Sequence, residues 1–248
     1  MNFKSCRQKA GAYITLTIVL SIAVSARAPG RGRTFAEELQ SRNVQLTKPA
    51  LINALKSTDG EIRYLAAMKL AEDKAVEAVP AILDALAAET LPVTRTNIAL
   101  ALAHMGEERG FSTLEDTCAG RGWGPRSRTD SAGYLLTLGR ESKVCLNALL
   151  DILQSEPDNS GYKMVAAELL PRFHDLTPEE MHAVFLGLKQ CLAGSDAAMW
   201  LSAGKAFVDL RQSDAIPALQ KAISKEEYGE VRTQLDADLK ALPASEKP

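Results

Sequence analysis

The stretch AVPAILDAL at residues 78–86 decides the fold, because its order of apolar, small and apolar residues recurs along the chain. A close counterpart, AIPALQKAI, occupies residues 215–223. Four further copies keep the pattern, and the residues that close successive copies lie 31 to 39 positions apart. The six closing residues are Leu55, Leu86, Cys118, Leu153, Leu192 and Ile223. A period in this range indicates a protein built from stacked repeats.

A second pattern follows each copy by eight to ten residues. A small residue stands four positions after its first residue, and a large apolar residue stands seven positions after it. Its first residues are Arg63, Arg95, Arg128, Lys163, Trp200 and Arg232. Spacings of three and four place residues on one helical face, so each copy predicts a pair of helices. In the sixth copy Asp236 takes the small position, which we expect of a solvent-facing end.

Turn and cap residues separate the predicted helices. Residues 57–60 and 194–196 contain Asp and Ser, whose side chains can accept the free N–H groups that open a second helix. Pro49, Pro80 and Pro217 fall in the first turn of the first helices, where proline removes no helical hydrogen bond.

The repeats resemble a known family. Residues 78–82 and 215–219 are similar to the AVPAL opening of short HEAT-like repeats, first associated with phycobilisome lyases, and residues 61–67 resemble the VRxxAA stretch of their second helix. The resemblance covers about residues 46–242, with the third and sixth copies departing most. Tetratricopeptide and ankyrin repeats have similar periods, but their signatures, such as TPLHxA, are absent from the sequence.

The resemblance implies an architecture and a general use for it. The fold expected is all-α, a right-handed α-solenoid of about six antiparallel helix pairs, or armadillo-type superhelix. Each pair buries its apolar face only against its neighbours. Such a stack has a concave surface, which in HEAT-like proteins is lined by the second helices and binds proteins or peptides.

The first 28 residues read as a secretory signal peptide. A basic segment precedes an uncharged apolar run at residues 12–24, and Ala26, Arg27 and Ala28 form a small-x-small cleavage site. The run is shorter than the roughly 18 residues of a membrane span. We expect a periplasmic or secreted protein, or alternatively one anchored in the membrane by residues 12–24. Residues 29–45 are a linker or capping segment, 46–242 the solenoid and 243–248 a disordered tail.

The net charge of the chain indicates which class of partner it binds. The formal net charge is −2, and without residues 1–28, which hold four basic and no acidic residues, the chain has 25 basic against 31 acidic residues. An acidic chain is a poor ligand for nucleic acid. The expected partner is another protein or peptide, with membrane contact only if the leader is uncleaved.

The basic residues that open the second pattern form a ladder that has two interpretations. Arg63, Arg95, Arg128 and Lys163, together with Arg232, could present a basic stripe to an acidic partner. Alternatively their side chains bond acidic residues of neighbouring loops, which the resemblance favours because this position is basic in HEAT-like repeats generally. Trp200 holds the ladder position in the fifth copy and is retained as a binding candidate.

The glycine-rich segment at residues 120–128 departs most from the repeat pattern. It carries Arg121, Trp123, Arg126 and Arg128, and Trp and Arg are common binding hot spots. This loop is the best single candidate for a contact site, against the alternative that Trp123 folds back onto the third repeat.

No catalytic constellation is visible in the sequence. It contains no HExxH, GxSxG, GxGxxG or Cys/His cluster, so we expect no enzyme activity, metal or small-molecule cofactor. Cys118, Cys145 and Cys191 are interpreted as small buried hydrophobic residues, with an oxidised pair as the alternative. The leading hypothesis is an exported HEAT-repeat scaffold for protein–protein interaction in a cell envelope. The alternative is a relative of a HEAT-like enzyme, such as a bilin lyase or a DNA glycosylase.

Overall fold

The computed structural model describes residues 32–243, and within this range the chain forms thirteen α-helices and no β-strand. The predicted leader at residues 1–28, its apolar run at 12–24 and residues 244–248 of the predicted tail lie outside the described residues. Residues 32–142 lie in one compact unit and residues 143–243 in another. We call these the N-terminal and C-terminal units.

The N-terminal unit holds an opening helix followed by three helix pairs, which we number as repeats one to three. Its helices are α1 (Phe35–Ser41), α2 (Lys48–Ala54), α3 (Gly60–Glu72), α4 (Val79–Ala88), α5 (Pro92–His104), α6 (Glu108–Ala119) and α7 (Gly124–Thr137). Each first helix packs against the second helix of its own repeat. The second helices α3, α5 and α7 also pack against their neighbours in sequence, and α1 packs against α3.

The C-terminal unit continues the pattern with repeats four to six. Its helices are α8 (Lys143–Ser155), α9 (Gly161–Leu169), α10 (Pro178–Ala193), α11 (Ala197–Asp209), α12 (Ile216–Lys225) and α13 (Gly229–Ala241). Second helices again pack against their neighbours, α9 with α11 and α11 with α13, and first helices do the same. In both units, helix pairs therefore pack in sequence order, as the all-helical repeat architecture predicts.

Local sequence explains where the helices begin. Asp59 accepts from the Glu61 N–H at 2.8 Å at the start of α3, and Asp196 accepts from the Met199 N–H at 2.9 Å at the start of α11. These caps confirm the predicted role of the turn residues, because they satisfy N–H groups that have no partner within the helix. The predicted prolines lie in the first turns of α2, α4 and α12.

The repeat pattern identifies the core. All six closing residues of the first helices are buried, and so are the small and large positions of the first five second helices. A small residue on the second helix lets its neighbour approach, and the large residue one turn later fills the remaining space. The prediction of core residues is confirmed for these five repeats.

The sixth repeat lies in a different register from the one predicted. Asp236 and Leu239 are partly exposed, whereas Leu235 and Asp238 are buried. The pattern in α13 therefore begins at Val231, not at Arg232, which is exposed. The alignment on a basic residue was wrong here because burial of Leu235, the apolar residue one position earlier, sets the rotation of the helix. The corrected register places the carboxyl of Asp238 at the large apolar position.

Candidate functional site

The Arg63 side chain connects repeat one to repeat two. Its Nε and Nη2 atoms lie 2.7 and 2.6 Å from Glu89 Oε2, and its Nη1 donates to the Ser57 carbonyl at 2.8 Å. The Glu89 side chain is only 1% exposed. Its other oxygen accepts from the N–H groups of Thr90 and Leu91, at 2.9 and 2.8 Å. Every polar atom of this carboxylate is therefore engaged within the protein.

Arg95 and Arg128 make the same type of contact as each other. Arg95 Nη1 donates to the carbonyl of Leu86 at 2.7 Å, and Arg128 Nε donates to the carbonyl of Cys118 at 3.1 Å. Leu86 and Cys118 are the closing residues of α4 and α6, where helix carbonyls lack partners within the helix. A cation at this end of a helix also interacts favourably with its dipole. This geometry explains why the first position of the second pattern is basic.

The ladder positions of the fourth and fifth repeats do not bond a helix carbonyl within residues 32–243. Lys163 is buried and donates to Asp158 Oδ1 at 2.7 Å. Trp200 is also buried, and its indole Nε1 has no hydrogen-bond partner among the described residues. The predicted contact to an acidic residue is thus present for Arg63 and Lys163, whereas Arg95 and Arg128 bond helix carbonyls instead. A binding role for these residues stays a prediction.

The third-repeat loop is a short 3₁₀ turn that leads into α7. Trp123 folds back against Gly120, where an added Cβ would lie 2.3 Å from Trp123 Cδ1. The guanidinium of Arg95 lies 5.8 Å from the centre of the Trp123 ring. Arg126 is exposed, and the side chain of Arg121 lies outside what the structure describes. The structure thus brings Trp123 and Arg95 together, whereas Arg126 is exposed and lies beside Asp130.

The cysteines differ in redox state. Cys118 and Cys145 are buried and disulfide-bonded, whereas Cys191 is a free buried thiol. Burial raises the pKa of the Cys191 thiol to about 11. The interpretation as buried thiols is therefore confirmed for Cys191 and wrong for the other two. Burial alone does not decide the redox state of a cysteine, since oxidation depends on a second sulfur within bonding distance.

A group of polar and aromatic side chains on the second helices of the N-terminal unit was not identified from the sequence. It consists of Tyr64 on α3, Asn97 on α5, and Asp130 and Tyr134 on α7, and we call it the second-helix cluster. The Tyr134 hydroxyl donates to Asn97 Oδ1 at 2.9 Å. Tyr64 lies on α3, which packs against α5, and its charge contributes to raising the pKa of Tyr134. Three successive repeats therefore contribute to one site.

Burial controls the electrostatics of the second-helix cluster. It raises the pKa of the Asp130 carboxyl, against the opposing effect of Arg126, whose Nε lies 3.7 Å from Asp130 Oδ2. Burial also raises the pKa of Tyr64 to about 12 and raises the pKa of Tyr134. Both tyrosines are therefore neutral at physiological pH. They can donate or accept hydrogen bonds while presenting apolar rings.

An ion-pair network lies beside Tyr64. Arg42, which follows α1, contacts Glu38 at 3.2 Å, Asp59 at 3.2 Å and Glu61 at 2.6 Å. Three carboxylates thus share one guanidinium. Arg33 also pairs with Glu38, at 3.6 Å, so with Asp130 and Arg126 this side of the unit has four acidic residues and three basic ones. The surroundings of the second-helix cluster are therefore acidic.

The C-terminal unit has a smaller arrangement of the same kind. Ser202 on α11 donates to Glu168 Oε1 on α9 at 3.2 Å, and burial raises the pKa of the Glu168 carboxyl. Asn97 and Ser202 both stand two positions after the first residue of the second pattern, as Asp130 does. Polar residues at this position in repeats two, three and five are the signal in the sequence that indicates the clusters.

The comparison with protein families agrees with this geometry. The family model for HEAT repeats matches residues 49–133, which include repeats one to three except for the last residues of α7. The match supports the predicted resemblance to HEAT-like repeats in this part of the chain. HEAT repeats form scaffolds that often mediate protein interactions. A search of curated proteins finds no match to the chain.

Between residues 32 and 243, no helix is both long and apolar enough to cross a membrane. In the same range, no group of three or more His, Cys, Asp or Glu side chains is arranged to hold a metal ion.

Proposed function

We propose that this protein is an exported, non-catalytic HEAT-repeat scaffold that binds another protein or a peptide in the cell envelope, and that the second-helix cluster contributes to the binding surface. The observation that carries the proposal is the Tyr134–Asn97 hydrogen bond beside Asp130 and Tyr64, which gathers polar groups from three consecutive repeats. Rigid helices hold these groups, so little conformational entropy is lost when a partner binds.

The contacts favour this surface over the basic ladder. Arg63, Arg95 and Lys163 are engaged with carbonyls or carboxylates of the protein itself, so a partner would have to displace those contacts. The second-helix cluster retains unused hydrogen-bonding groups, because Asn97 uses only its carbonyl oxygen in a hydrogen bond among the described residues. Arg126 is exposed at its edge and is the candidate of the third-repeat loop that can join this surface.

Export is supported by two observations. Residues 1–28 have the order of charged, apolar and small residues that signal peptidase substrates share. Cys118 and Cys145 are disulfide-bonded, and disulfides persist mainly in oxidising compartments such as the periplasm and the extracellular space. The membrane-anchored alternative differs only in whether residues 12–24 remain attached.

Export is tested by the N-terminal sequence and fractionation of the native protein. The proposal expects a chain that begins at Pro29 and is recovered in the soluble envelope or extracellular fraction. An intact N-terminus with retention in carbonate-washed membranes would support the anchor instead. Recovery of the intact chain in the cytoplasm would contradict export.

Binding is tested by charge reversal at matched positions. Asp130 lies in the second-helix cluster, whereas Asp84 is exposed on α4, a first helix. The proposal expects envelope proteins captured by the wild-type chain to be retained by Asp84→Arg and lost by Asp130→Arg. Equal capture by both variants would place the binding surface elsewhere, and pigment-transfer or base-excision activity of the purified protein would favour an enzyme.

A further inference from the structure

Asn97 is almost completely buried, yet its side chain has an unused hydrogen-bond donor. The residue is 9% exposed, and its Oδ1 accepts a hydrogen bond from the Tyr134 hydroxyl. Its Nδ2 makes no hydrogen bond to any other residue between 32 and 243, and it is not among the fully buried atoms that lack partners. The amide N–H groups therefore reach solvent at the second-helix cluster. They are placed to donate to a carbonyl oxygen of a bound chain.

Tyr64 has a similar unused group. The residue is 8% exposed, so its ring is packed, but its hydroxyl makes no hydrogen bond within the described part of the chain. A phenolic oxygen can accept a hydrogen bond from a cationic N–H, and the edge and face of the ring offer apolar contact to the stem of a long side chain.

Asp130 is incompletely neutralised. Its side chain is 36% exposed, and the structure places Arg126 Nε 3.7 Å away, longer than the 2.7–2.9 Å typical of a charge-assisted hydrogen bond. The side chain of Arg126 is itself 58% exposed. Burial raises the pKa of the Asp130 carboxyl, and the opposing effect of Arg126 offsets this only in part. A second cation at this carboxylate would compensate it.

Resting on the proposed function, we propose that the second-helix cluster binds a lysine or arginine side chain of the partner, with Asp130 accepting the charged hydrogen bonds. Tyr64 and Tyr134 provide ring contacts and a hydroxyl acceptor for the same side chain. The Asn97 amide donates to the partner backbone. The partner is therefore a protein segment that carries a basic residue flanked by accessible peptide carbonyls.

Charge complementarity supports a basic partner over an acidic one. The second-helix cluster and its ion-pair network hold four acidic residues, against three arginines that are already engaged with them. The chain without residues 1–28 has 25 basic and 31 acidic residues, so the whole protein also attracts cations weakly.

The test uses four pools of short peptides with a fixed central Lys, Arg, Gln or Glu between uncharged residues. Each pool is passed over the immobilised wild-type protein, and the retained fraction is quantified by mass spectrometry. We expect Lys and Arg pools to be retained about fivefold better than the Gln pool, as for one partly exposed charge pair. The preference falls as salt is raised. It is lost in Asp130→Asn and kept in Asp84→Asn.

The outcomes separate this inference from the proposed function. Equal retention of all pools, or an unchanged preference in Asp130→Asn, overturns the inference. If envelope proteins are still captured in an Asp130-dependent manner, the proposed function stands without it. Circular dichroism of both variants checks the fold. If Asp130→Asn is unfolded, Tyr64→Phe replaces it, because it removes the hydroxyl acceptor and keeps the ring, and the Lys and Arg preference must fall.

Discussion

Arg63 of the first repeat and Glu89 of the second form an ion pair at 2.6 Å, with the carboxylate almost completely buried. The pair lies on the boundary between two repeats, whose stability depends on contacts with their neighbours. The same guanidinium also bonds the Ser57 carbonyl near the end of the first helix of its own repeat. One side chain thus stabilises the turn within a repeat and the contact with the next.

Replacing Arg63 with alanine is expected to destabilise the protein by about 3 kcal/mol, because the buried Glu89 carboxylate loses its counter-ion. Urea unfolding followed by circular dichroism measures the change. Lys48→Ala is the control, since Lys48 pairs with Glu77 on the exposed surface and its loss should have a much smaller effect. Equal effects of the two variants would show that the buried pair contributes no more than a surface pair.

Gly120→Ala is expected to displace the Trp123 ring. The added Cβ would lie 2.3 Å from Trp123 Cδ1, so the ring must move, at a cost of about 1–3 kcal/mol. Tryptophan fluorescence in a Trp200→Phe background reports the change as a shift of emission to longer wavelength. Gly122→Ala is the matched control, because an added Cβ there meets no atom within 4 Å. An unshifted spectrum in Gly120→Ala would contradict the packing described.

Asp238 is expected to make stability depend on pH. Burial raises the pKa of its carboxyl, and its Oδ2 is buried without a hydrogen-bond partner among the described residues. The folded state therefore holds the proton more tightly than the unfolded state, so the stabilising contribution of this carboxyl to the free energy of unfolding is present at low pH. It is lost as the pH rises through the raised folded pKa. Asp238→Asn should therefore gain stability relative to the wild type between pH 4 and pH 7.

Chemical denaturation at the two pH values measures this difference. Asp236→Asn serves as the control, because Asp236 is partly exposed on the same helix. A constant difference between wild type and Asp238→Asn at both pH values would show that the Asp238 carboxyl titrates alike in the folded and unfolded states.

The helix pairs and their core could be predicted from the sequence because spacings of three and four residues fix one helical face directly. Arg95 and Arg128 bond a carbonyl in their own repeat, close in sequence, so these contacts follow directly from the repeat pattern. The second-helix cluster could not be predicted in this way. Asn97 and Tyr134 are 37 residues apart, and only the packing of α5 against α7 brings them together.

The misassigned register of α13 has a related cause. The basic residue Arg232 does not mark the register of the sixth repeat, because the rotation of a helix is set by burial of its apolar residues, here Leu235. The oxidation of Cys118 and Cys145 could not be predicted from the repeat pattern either, because it depends on distances between sulfur atoms and not on periodicity.

Thiol labelling is expected to report both the redox state and the leader. The chain has four cysteines, of which Cys6 lies in the predicted leader. The native mature protein should label slowly, because Cys191 is buried and its pKa is raised to about 11. Denatured without reductant it should incorporate one label, and after reduction three. Mass spectrometry counts the labels, and one additional label in both states would show that the leader is retained.

Site-specific photo-crosslinking in intact cells tests whether the protein binds a partner through its second helices. A photoreactive phenylalanine analogue replaces Arg126, which is exposed beside the second-helix cluster, or Asp84, which is exposed on the first helix α4. The account predicts a discrete adduct with a partner protein from position 126 and none from position 84. An adduct from position 84 alone would contradict binding through the second helices, and the absence of any adduct at both positions would contradict the scaffold itself.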